Sequence, residues 1–529
     1  MEAPGHRRTR GEHALGALIA ILFFAWQVPA VRERGVTWDE KETQVAGNTN
    51  LHILKALFTG RLNAQVLRTL EERAAAGRIF HELPGYNFVG DTLRAGFAAL
   101  LRARWGWSFP TAAHCFHTVL SALSLYLLFR LALTLSHSRL LALFCALALA
   151  LWPKFIGHSQ NNPKDLPALF CFVLAMHGAV CMLERGGVRR ALLAGAALGL
   201  AVTHGPICSN VLLILVVALA VIWRATFRTR WLEIALFLIS GAFATVLCWP
   251  WLWPNPASNL KRALQQVGSF GYANPLLYLG KIHDWTSTPW HYSLVALLTS
   301  TPLPLLLWAA IGGITVLLAD ARTRRLVFLG LIWTVTLLVA DLFAPCHYDG
   351  MRHLLALLPG LCLVVGGGLG VVQHWLRRRP LVFTLLALAS GGHLLWVATT
   401  MRPYEDAYLN EMTNAMIDGP SEDCFELEYW GCSYPEGARW LNTHAEPDAQ
   451  VFLPWTLQAS EYLERKASLR TNLAFFDTTS PRYLMFVTRK AFYDRFIVDV
   501  EARYLPVFTV QRQKGTLLKI YKNTLKRTP

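Results

Sequence analysis

Two adjacent carboxylates, Asp39 and Glu40, lie shortly after the first strongly apolar segment of the chain. A carboxylate can accept the proton of an attacking hydroxyl group, or bind a cation that neutralises a phosphate leaving group. Charged groups at a membrane boundary are costly to desolvate, which makes them default candidates for function. The plain alternative is a solvated helix end that faces lipid headgroups. The pair alone does not decide between the two.

A second polar cluster, 160–165, joins two later apolar segments. Asp165 falls at the start of the next predicted helix, where an acidic side chain suits the helix dipole. That capping role is the structural alternative to a catalytic one. Lys164 can meet a phosphate group as a point charge, and Asn162 is a further candidate for substrate binding.

A third polar cluster, 346–353, lies at another predicted helix boundary. Arg352 has the planar guanidinium that grips a phosphate or carboxylate through two hydrogen bonds. Gly350 permits a turn that would direct Arg352 inwards. The alternative is an interfacial arginine whose head reaches the lipid headgroups. His347 and Tyr348 are added as candidates for substrate binding.

Tryptophans are concentrated in 249–256 and again near His291. Such residues form aromatic belts at the headgroup level, and this interpretation is favoured over a platform for sugar rings or prenyl chains. His291 is kept as a candidate for substrate binding. The histidines of the chain show no spacing typical of a metal site. No residue is therefore assigned as a metal ligand, and a divalent cation is left open as a cofactor.

The elements that must position these clusters are membrane helices. Of the 529 residues, 54% are hydrophobic and 16% are charged, against roughly 25% charged in soluble proteins. The net charge of +16 comes largely from arginine clusters in alternate short loops between apolar segments, as in cytoplasmic loops of membrane proteins. The charge therefore indicates membrane topology, and nucleic acid is not expected as a partner.

Hydropathy predicts roughly eleven transmembrane helices, beginning with a first helix that is retained rather than cleaved as a signal peptide. The predicted segments are 14–31, 111–134, 138–156, 166–184, 190–206, 208–223, 231–253, 291–318, 325–345, 353–373 and 381–400. The arginine clusters place the N-terminus in the cytoplasm, and an odd number of spans then places the C-terminus outside. All the polar clusters then face the extracytoplasmic side.

Two longer polar segments complete the outer face. Apolar residues at helical spacing within 32–110 predict either helices that lie flat on the membrane or a small packed helical subdomain. Short β-branched and aromatic runs predict a soluble α/β domain over 401–529, after a transmembrane domain over 1–400. If the outer compartment is oxidising, a disulfide between Cys424 and Cys432 and two free thiols are equally favoured.

The order of these features resembles the GT-C glycosyltransferases. An acidic pair follows the first helix, a long outer loop comes next, and acidic and basic residues stand at later outer boundaries. More narrowly, the chain is similar to bacterial relatives of protein O-mannosyltransferases and of the lipid A aminoarabinose transferase, as in glycosyltransferase family 39. The segments 162–165, 249–253, 348–353 and 429–433 carry this resemblance, which covers most of the chain.

The resemblance implies a polyprenyl-phosphate sugar as donor and inversion at the anomeric carbon. It assigns Asp39 as the general base and Glu40 as its partner. Asp165 would be a second catalytic acid, while Lys164 and Arg352 would bind the donor phosphate.

One departure concerns the first outer loop. Relatives often have a His-Pro-Pro element there, whereas this chain has His81-Glu-Leu-Pro, so His81 is only a candidate for substrate binding.

The sequence thus predicts an inverting glycosyltransferase of the cell envelope in a bacterial inner membrane. Its acceptor would be a hydroxyl group of a glycan, lipid or protein. A lipid or sugar-lipid transporter is the first alternative, although the polar residues lie on one face and no internal repeat is visible. A catalytically inactive binding subunit is the second alternative.

Overall fold

All eleven predicted apolar segments contain helices in the computed structural model, which describes residues 10–60, 87–269, 273–344, 346–455, 458–468, 473–476 and 481–526. The helices of the first 400 residues are α1 (Arg10–Gln27), α2 (Trp38–Phe58), α3 (Phe88–Trp105), α4 (Phe109–Ser136), α5 (Arg139–Ala150), α6 (Pro153–Asn161), α7 (Asp165–Arg185), α8 (Val188–Val202), α9 (Pro206–Val221), α10 (Arg224–Thr229), α11 (Trp231–Cys248), α12 (Pro256–Ser269), α13 (Tyr292–Ser300), α14 (Leu303–Ile314), α15 (Ala321–Asp341), α16 (Leu358–Trp375) and α17 (Pro380–Thr400). A short 3₁₀ helix, Arg352–Leu357, precedes α16.

Two of the predicted spans are broken by bends. The segment predicted at 138–156 is the pair α5 and α6, bent by 64°, and that predicted at 291–318 is α13 and α14, bent by 115°. Pro153 and Pro302 stand at the breaks, where the missing amide donor ends regular helical hydrogen bonding. Within the described residues, seven helices are long and apolar enough to cross a membrane, or nine if each bent pair crosses once, while α8 and α9 are shorter.

The polar clusters and the arginine-rich loops occupy opposite ends of the same helices. Asp165 begins α7 and Arg185 ends it. Arg352 likewise precedes α16, whereas the arginines at 377–379 follow that helix. The alternation predicted from charge is thus present in the fold.

The described part of the first outer loop is a packed helical pair that also exposes apolar side chains. Helices α2 and α3 approach closely at Gly47, where a Cβ would lie 2.4 Å from the carbonyl oxygen of Asp91. Phe58 and Leu100 nevertheless remain well exposed. The described helices therefore pack together and also present apolar side chains, and their position flat on the membrane stays a prediction.

Beyond α17 the chain forms a small α/β unit around one mixed sheet. Its elements are the helices α18 (Glu411–Met416), α19 (Tyr434–His444) and α20 (Arg495–Arg503), and the strands β3 (Gln450–Phe452), β4 (Lys466–Ser468), β5 (Arg482–Val487), β6 (Tyr504–Arg512) and β7 (Gly515–Lys526). The strand order is β4-β3-β5-β7-β6, with β3 parallel to both neighbours and β7 antiparallel to β5 and β6. Earlier in the chain, β1 (Pro275–Tyr278) and β2 (Lys281–Asp284) form a hairpin.

Buried polar contacts join this C-terminal unit to the membrane bundle. Arg34 forms a 2.6 Å ion pair with Glu405, and both side chains are almost completely buried. The ammonium group of Lys154 donates to the backbone carbonyl of Asp406. Because breaking a buried pair leaves an uncompensated charge, these contacts hold the unit against the bundle.

Of the two alternatives for the tail cysteines, the structure has free thiols. Cys432 is buried and accepts a hydrogen bond from the side-chain amide of Asn161 at 3.2 Å. Cys424 is partly exposed and pairs with no other cysteine among the described residues.

Candidate active site

The first turn of α2 presents Asp39 to two cations. Lys164 Nζ lies 3.2 Å from one carboxylate oxygen, and Arg352 Nη1 lies 3.3 Å from the other. The Asp39 side chain keeps 19% of its surface exposed, so a substrate can still reach it. Burial alone would raise the pKa of Asp39, but the charges of Lys164 and Arg352 outweigh it and lower the pKa below its ordinary value.

A turn at Asn162 places the two charged residues that follow it. The Asn162 side-chain oxygen accepts hydrogen bonds from the backbone amides of Lys164 and Asp165 at 3.1 and 2.8 Å. Its amide nitrogen donates to the Asp165 carboxylate at 2.9 Å. This local arrangement is typical of Asn before a helix. It fixes the Asp165 carboxylate, at the start of α7, beside Arg352 and the Asp39 site.

Arg352 connects the acidic groups. Its Nη1 lies 2.9 Å from Asp349 Oδ2, and its Nε lies 3.6 Å from Asp165 Oδ2, in addition to the contact with Asp39. The turn before it has positive φ at Asp349 (54°) and Gly350 (60°), so the predicted use of glycine is correct and extends to its neighbour. The guanidinium carbon lies within 5.3 Å of the Tyr348 ring centre.

The C-terminal unit also supplies residues to this site. Arg489 Nη2 lies 2.7 Å from Asp349 Oδ1 and 3.4 Å from Glu426 Oε2. The ring of Trp430 lies 5.2 Å from the guanidinium carbon of Arg352. Burial raises the pKa of Glu426 to about 7, although the Arg489 charge opposes that rise. Arg489 and Glu426 were not predicted from the sequence, because neither belongs to a short motif.

Glu40 points away from this site. Its carboxylate accepts the backbone amide of Thr37 at 2.9 Å, as the side-chain half of a capping box at the start of α2. It also contacts His114 Nε2 at 3.0 Å, inside the bundle. The structure therefore brings Asp39, Lys164, Asp165 and Arg352 together and gives Glu40 different partners.

The candidate substrate-binding residues are dispersed. His81 lies outside the described residues. His291 Nδ1 lies 2.6 Å from the Tyr278 hydroxyl, and His347 Nε2 lies 3.2 Å from Asp341 Oδ2. The hydrogen bond to Asp341 raises the pKa of His347 above its ordinary value.

Tyr348 is the aromatic candidate closest to the charged residues. Its ring stacks on Trp285, with ring centres 3.9 Å apart and planes inclined by 9°. The ring also lies beside Arg352, as described above. Trp285 therefore belongs to the surroundings of the site rather than only to an aromatic belt.

The described carboxylates of the site contact basic side chains and do not converge on one point that a metal ion could occupy. Within the described ranges no three His, Cys, Asp or Glu residues converge in a way that could hold a metal ion. The carboxylates of Asp39, Asp165 and Asp349 each face Arg352. The arrangement favours binding of an anion that can exchange with these carboxylates.

No protein-family model matches the chain, and no curated protein matches it in sequence. Solved structures do match its fold. ArnT from Cupriavidus metallidurans bound to undecaprenyl phosphate is similar over 98% of this chain and 99% of ArnT, with 13% identity and a TM-score of 0.52. ArnT in the apo state has the same identity and TM-score, over 97% of this chain and 98% of ArnT. Arabinofuranosyltransferase AftD from Mycobacteria is similar over 97% of this chain and 40% of AftD, with 14% identity and a TM-score of 0.46.

The similarity to ArnT extends over the membrane bundle and the C-terminal unit alike. It agrees with the apolar helices and with the mixed sheet after α17. The chain therefore shares the fold of ArnT, and this fold is the predicted one, a polytopic α-helical membrane bundle followed by an α/β unit.

Proposed function

We propose that this protein is an inverting glycosyltransferase that moves a sugar from a polyprenyl-phosphate donor to an acceptor hydroxyl. The observation that carries the proposal is the position of Asp39, a partly exposed carboxylate whose two oxygens face two different cations. The Asp39 carboxylate can accept a proton while Lys164 and Arg352 hold a phosphate group. Transfer of a sugar from a lipid phosphate requires both.

The reaction follows from these positions. The donor phosphate binds Lys164 and Arg352, which then release the carboxylate of Asp39. Asp39 accepts the proton of the acceptor hydroxyl, whose oxygen forms a bond to the anomeric carbon. The bond from that carbon to the phosphate oxygen breaks, and its electron pair stays on the lipid phosphate. The two cations stabilise this developing charge, an electrostatic contribution that is usually large in such sites.

Displacement of Asp39 by the phosphate would also improve the base. In the free protein, Lys164 and Arg352 lower the pKa of Asp39. When the donor draws these cations away, the pKa of Asp39 rises and its proton affinity increases. The base would therefore become effective only when the donor is bound, which protects the site from unproductive protonation.

Asp165 has a supporting role in this proposal. Its carboxylate contacts Arg352 Nε and is held by the Asn162 amide. It would keep the guanidinium oriented while the phosphate replaces Asp39. Glu40 would contribute to the start of α2 rather than to chemistry, given its contacts with Thr37 and His114.

The proposed side of the membrane follows from charge. The site lies at the helix ends opposite the arginine-rich loops, and loops of that kind face the cytoplasm. The site and the C-terminal unit would therefore be extracytoplasmic, and the N-terminus cytoplasmic. The similarity of fold to ArnT, solved with undecaprenyl phosphate, supports a lipid-phosphate ligand.

Sugar transfer by the purified protein tests this function. The protein in detergent is offered radiolabelled polyprenyl-phosphate sugars with a membrane extract as acceptor, and wild type is compared with Asp39→Asn. We expect transfer by the wild type and none by the variant. Movement of unchanged lipid across vesicles would support a transporter, and donor binding without turnover by either protein would support a binding subunit.

A further inference from the structure

One carboxylate, Asp349, links Arg489 of the C-terminal unit to Arg352, the proposed phosphate-binding arginine. We infer that Arg489 is a positioning residue, which holds Arg352 in its phosphate-binding position through Asp349. The inference rests on the proposed function, because it assigns Arg352 to the lipid phosphate. It adds a functional role for a part of the chain that has no recognisable motif.

The contacts of Arg489 direct it at Asp349 rather than at the reacting groups. Its Nη2 lies 2.7 Å from Asp349 Oδ1, and Nε and Nη2 each lie 3.4 Å from an oxygen of Glu426. Its Nη1 donates to the carbonyl oxygen of Tyr429 at 3.3 Å. These contacts occupy all three guanidinium nitrogens, and only a planar fork can make them together.

Asp349 is shared between two arginines, one on each oxygen. Oδ1 faces Arg489 at 2.7 Å, and Oδ2 faces Arg352 at 2.9 Å. Its side chain is only 5% exposed, so water contributes little to neutralising it. Arg352 in turn divides Nη1 between Asp349 and Asp39.

This sharing determines how strongly Arg352 can bind a phosphate. With Arg489 on one oxygen, the charge of the Asp349 carboxylate is shared between two guanidinium groups, so Arg352 stays beside Asp349 and can still bind a second anion. Without Arg489, the full charge of Asp349 would fall on Arg352. A buried carboxylate that lacks a partner attracts the remaining cation strongly. Asp349 would then compete with the phosphate for the same guanidinium.

A double-mutant cycle on lipid-phosphate binding tests this role. The four proteins are wild type, Arg489→Met, Asp349→Asn and the double variant, each in detergent with undecaprenyl phosphate as the probe. We expect Arg489→Met to weaken binding about 10-fold, which corresponds to ~1.4 kcal/mol. In the Asp349→Asn background the same change should cost less than about 2-fold, because the competing charge has gone.

Equal losses in the two backgrounds would overturn the inference, since they would mean that Arg489 acts on the phosphate by itself. Arg489→Lys keeps the charge and serves if the methionine variant folds poorly. It should bind more weakly than wild type, because an ammonium group cannot contact Asp349, Glu426 and the carbonyl together. Unchanged binding in that variant would also contradict the inference.

Arg503→Met is the matched control, because Arg503 is an exposed arginine of the same unit. Among the described residues, its ion pair is with Asp499 at 3.5 Å. It should bind the lipid phosphate as wild type does. Failure of the wild type to bind would overturn the inference. Binding with the predicted coupling but without sugar transfer would leave the inference standing and refute the proposed reaction.

Discussion

Asp39 and Glu40 are chemically alike and adjacent in the chain, yet their amide variants should fail in different ways. Asp39→Asn removes the group that accepts the proton and faces Lys164 and Arg352. Glu40→Gln alters a group that caps α2 and contacts His114. We therefore expect Asp39→Asn to lose activity while keeping its fold, and Glu40→Gln to lose stability while keeping most of its turnover.

The magnitudes follow from the contacts. A positioned general base contributes roughly 10²- to 10⁴-fold, so Asp39→Asn should lower kcat by about that factor, or ~2.7–5.4 kcal/mol of transition-state stabilisation. An ion pair between solvent-exposed groups contributes about 0.2–1 kcal/mol, and the two pairs of Asp39 are less exposed, so this range is a lower bound. Because the donor phosphate no longer has to displace these pairs, the variant should bind the donor at least about 2-fold more tightly.

For Glu40→Gln, the amide oxygen can still accept the backbone amide of Thr37. The amide nitrogen can donate to a neutral His114 ring, but the charged interaction between the Glu40 carboxylate and Nε2 is lost, and both groups are buried. Hydrogen bonds to charged groups contribute about 1.5–3 kcal/mol, and we expect a loss of that order in the free energy of unfolding.

Three measurements on purified protein separate the cases: sugar transfer under single-turnover conditions, donor affinity, and thermal unfolding in detergent. The reasoning would be refuted if Asp39→Asn kept more than about a tenth of wild-type turnover, well above what loss of a general base permits. It would also be refuted if Glu40→Gln abolished transfer with its unfolding temperature unchanged. Weaker donor binding by Asp39→Asn would contradict the proposed exchange of Asp39 for the phosphate.

Four further predictions concern pH, orientation and redox state. Lys164→Met should raise the pKa of Asp39, because it removes a cation that lowers this pKa. The acidic limb of the pH profile of kcat/KM should then move to higher pH, and the KM for the donor should increase. A limb that does not move would contradict the assignment of Asp39 as the base. In the wild type, the acidic limb of kcat should lie at higher pH than that of kcat/KM, since bound donor draws the cations from Asp39; coincident limbs would argue against that exchange. Asn162→Ala should lower kcat/KM roughly 10-fold, because the Asp165 carboxylate loses a hydrogen bond to a charged group and is released. Asn162→Asp keeps an oxygen that can accept the backbone amides and should restore part of the turn. Reducing agent should leave the unfolding temperature unchanged because Cys432 is a free thiol, and a decrease would show that it forms a disulfide.

The sequence alone determined where the helices run and which of their ends carry the clusters of acidic and basic residues. Hydropathy is a local property, so each apolar segment could be located without knowledge of its neighbours. The arginine clusters marked one face in the same way, and the acidic and basic clusters marked the other. Even the turn that presents Arg352 was predictable, because Gly350 is the residue that its conformation favours.

Tertiary structure decided which of these residues meet. Asp39 and Arg352 are 313 positions apart, and Asp349 and Arg489 are 140 apart, so no spacing rule could join them. The direction of Glu40 was equally hidden, since adjacent helical residues point in different directions and only packing shows that His114 lies beneath it. Charge neutralisation in a poorly solvated site depends on distances of a few ångströms, and such distances are set by the packed bundle and its C-terminal unit together.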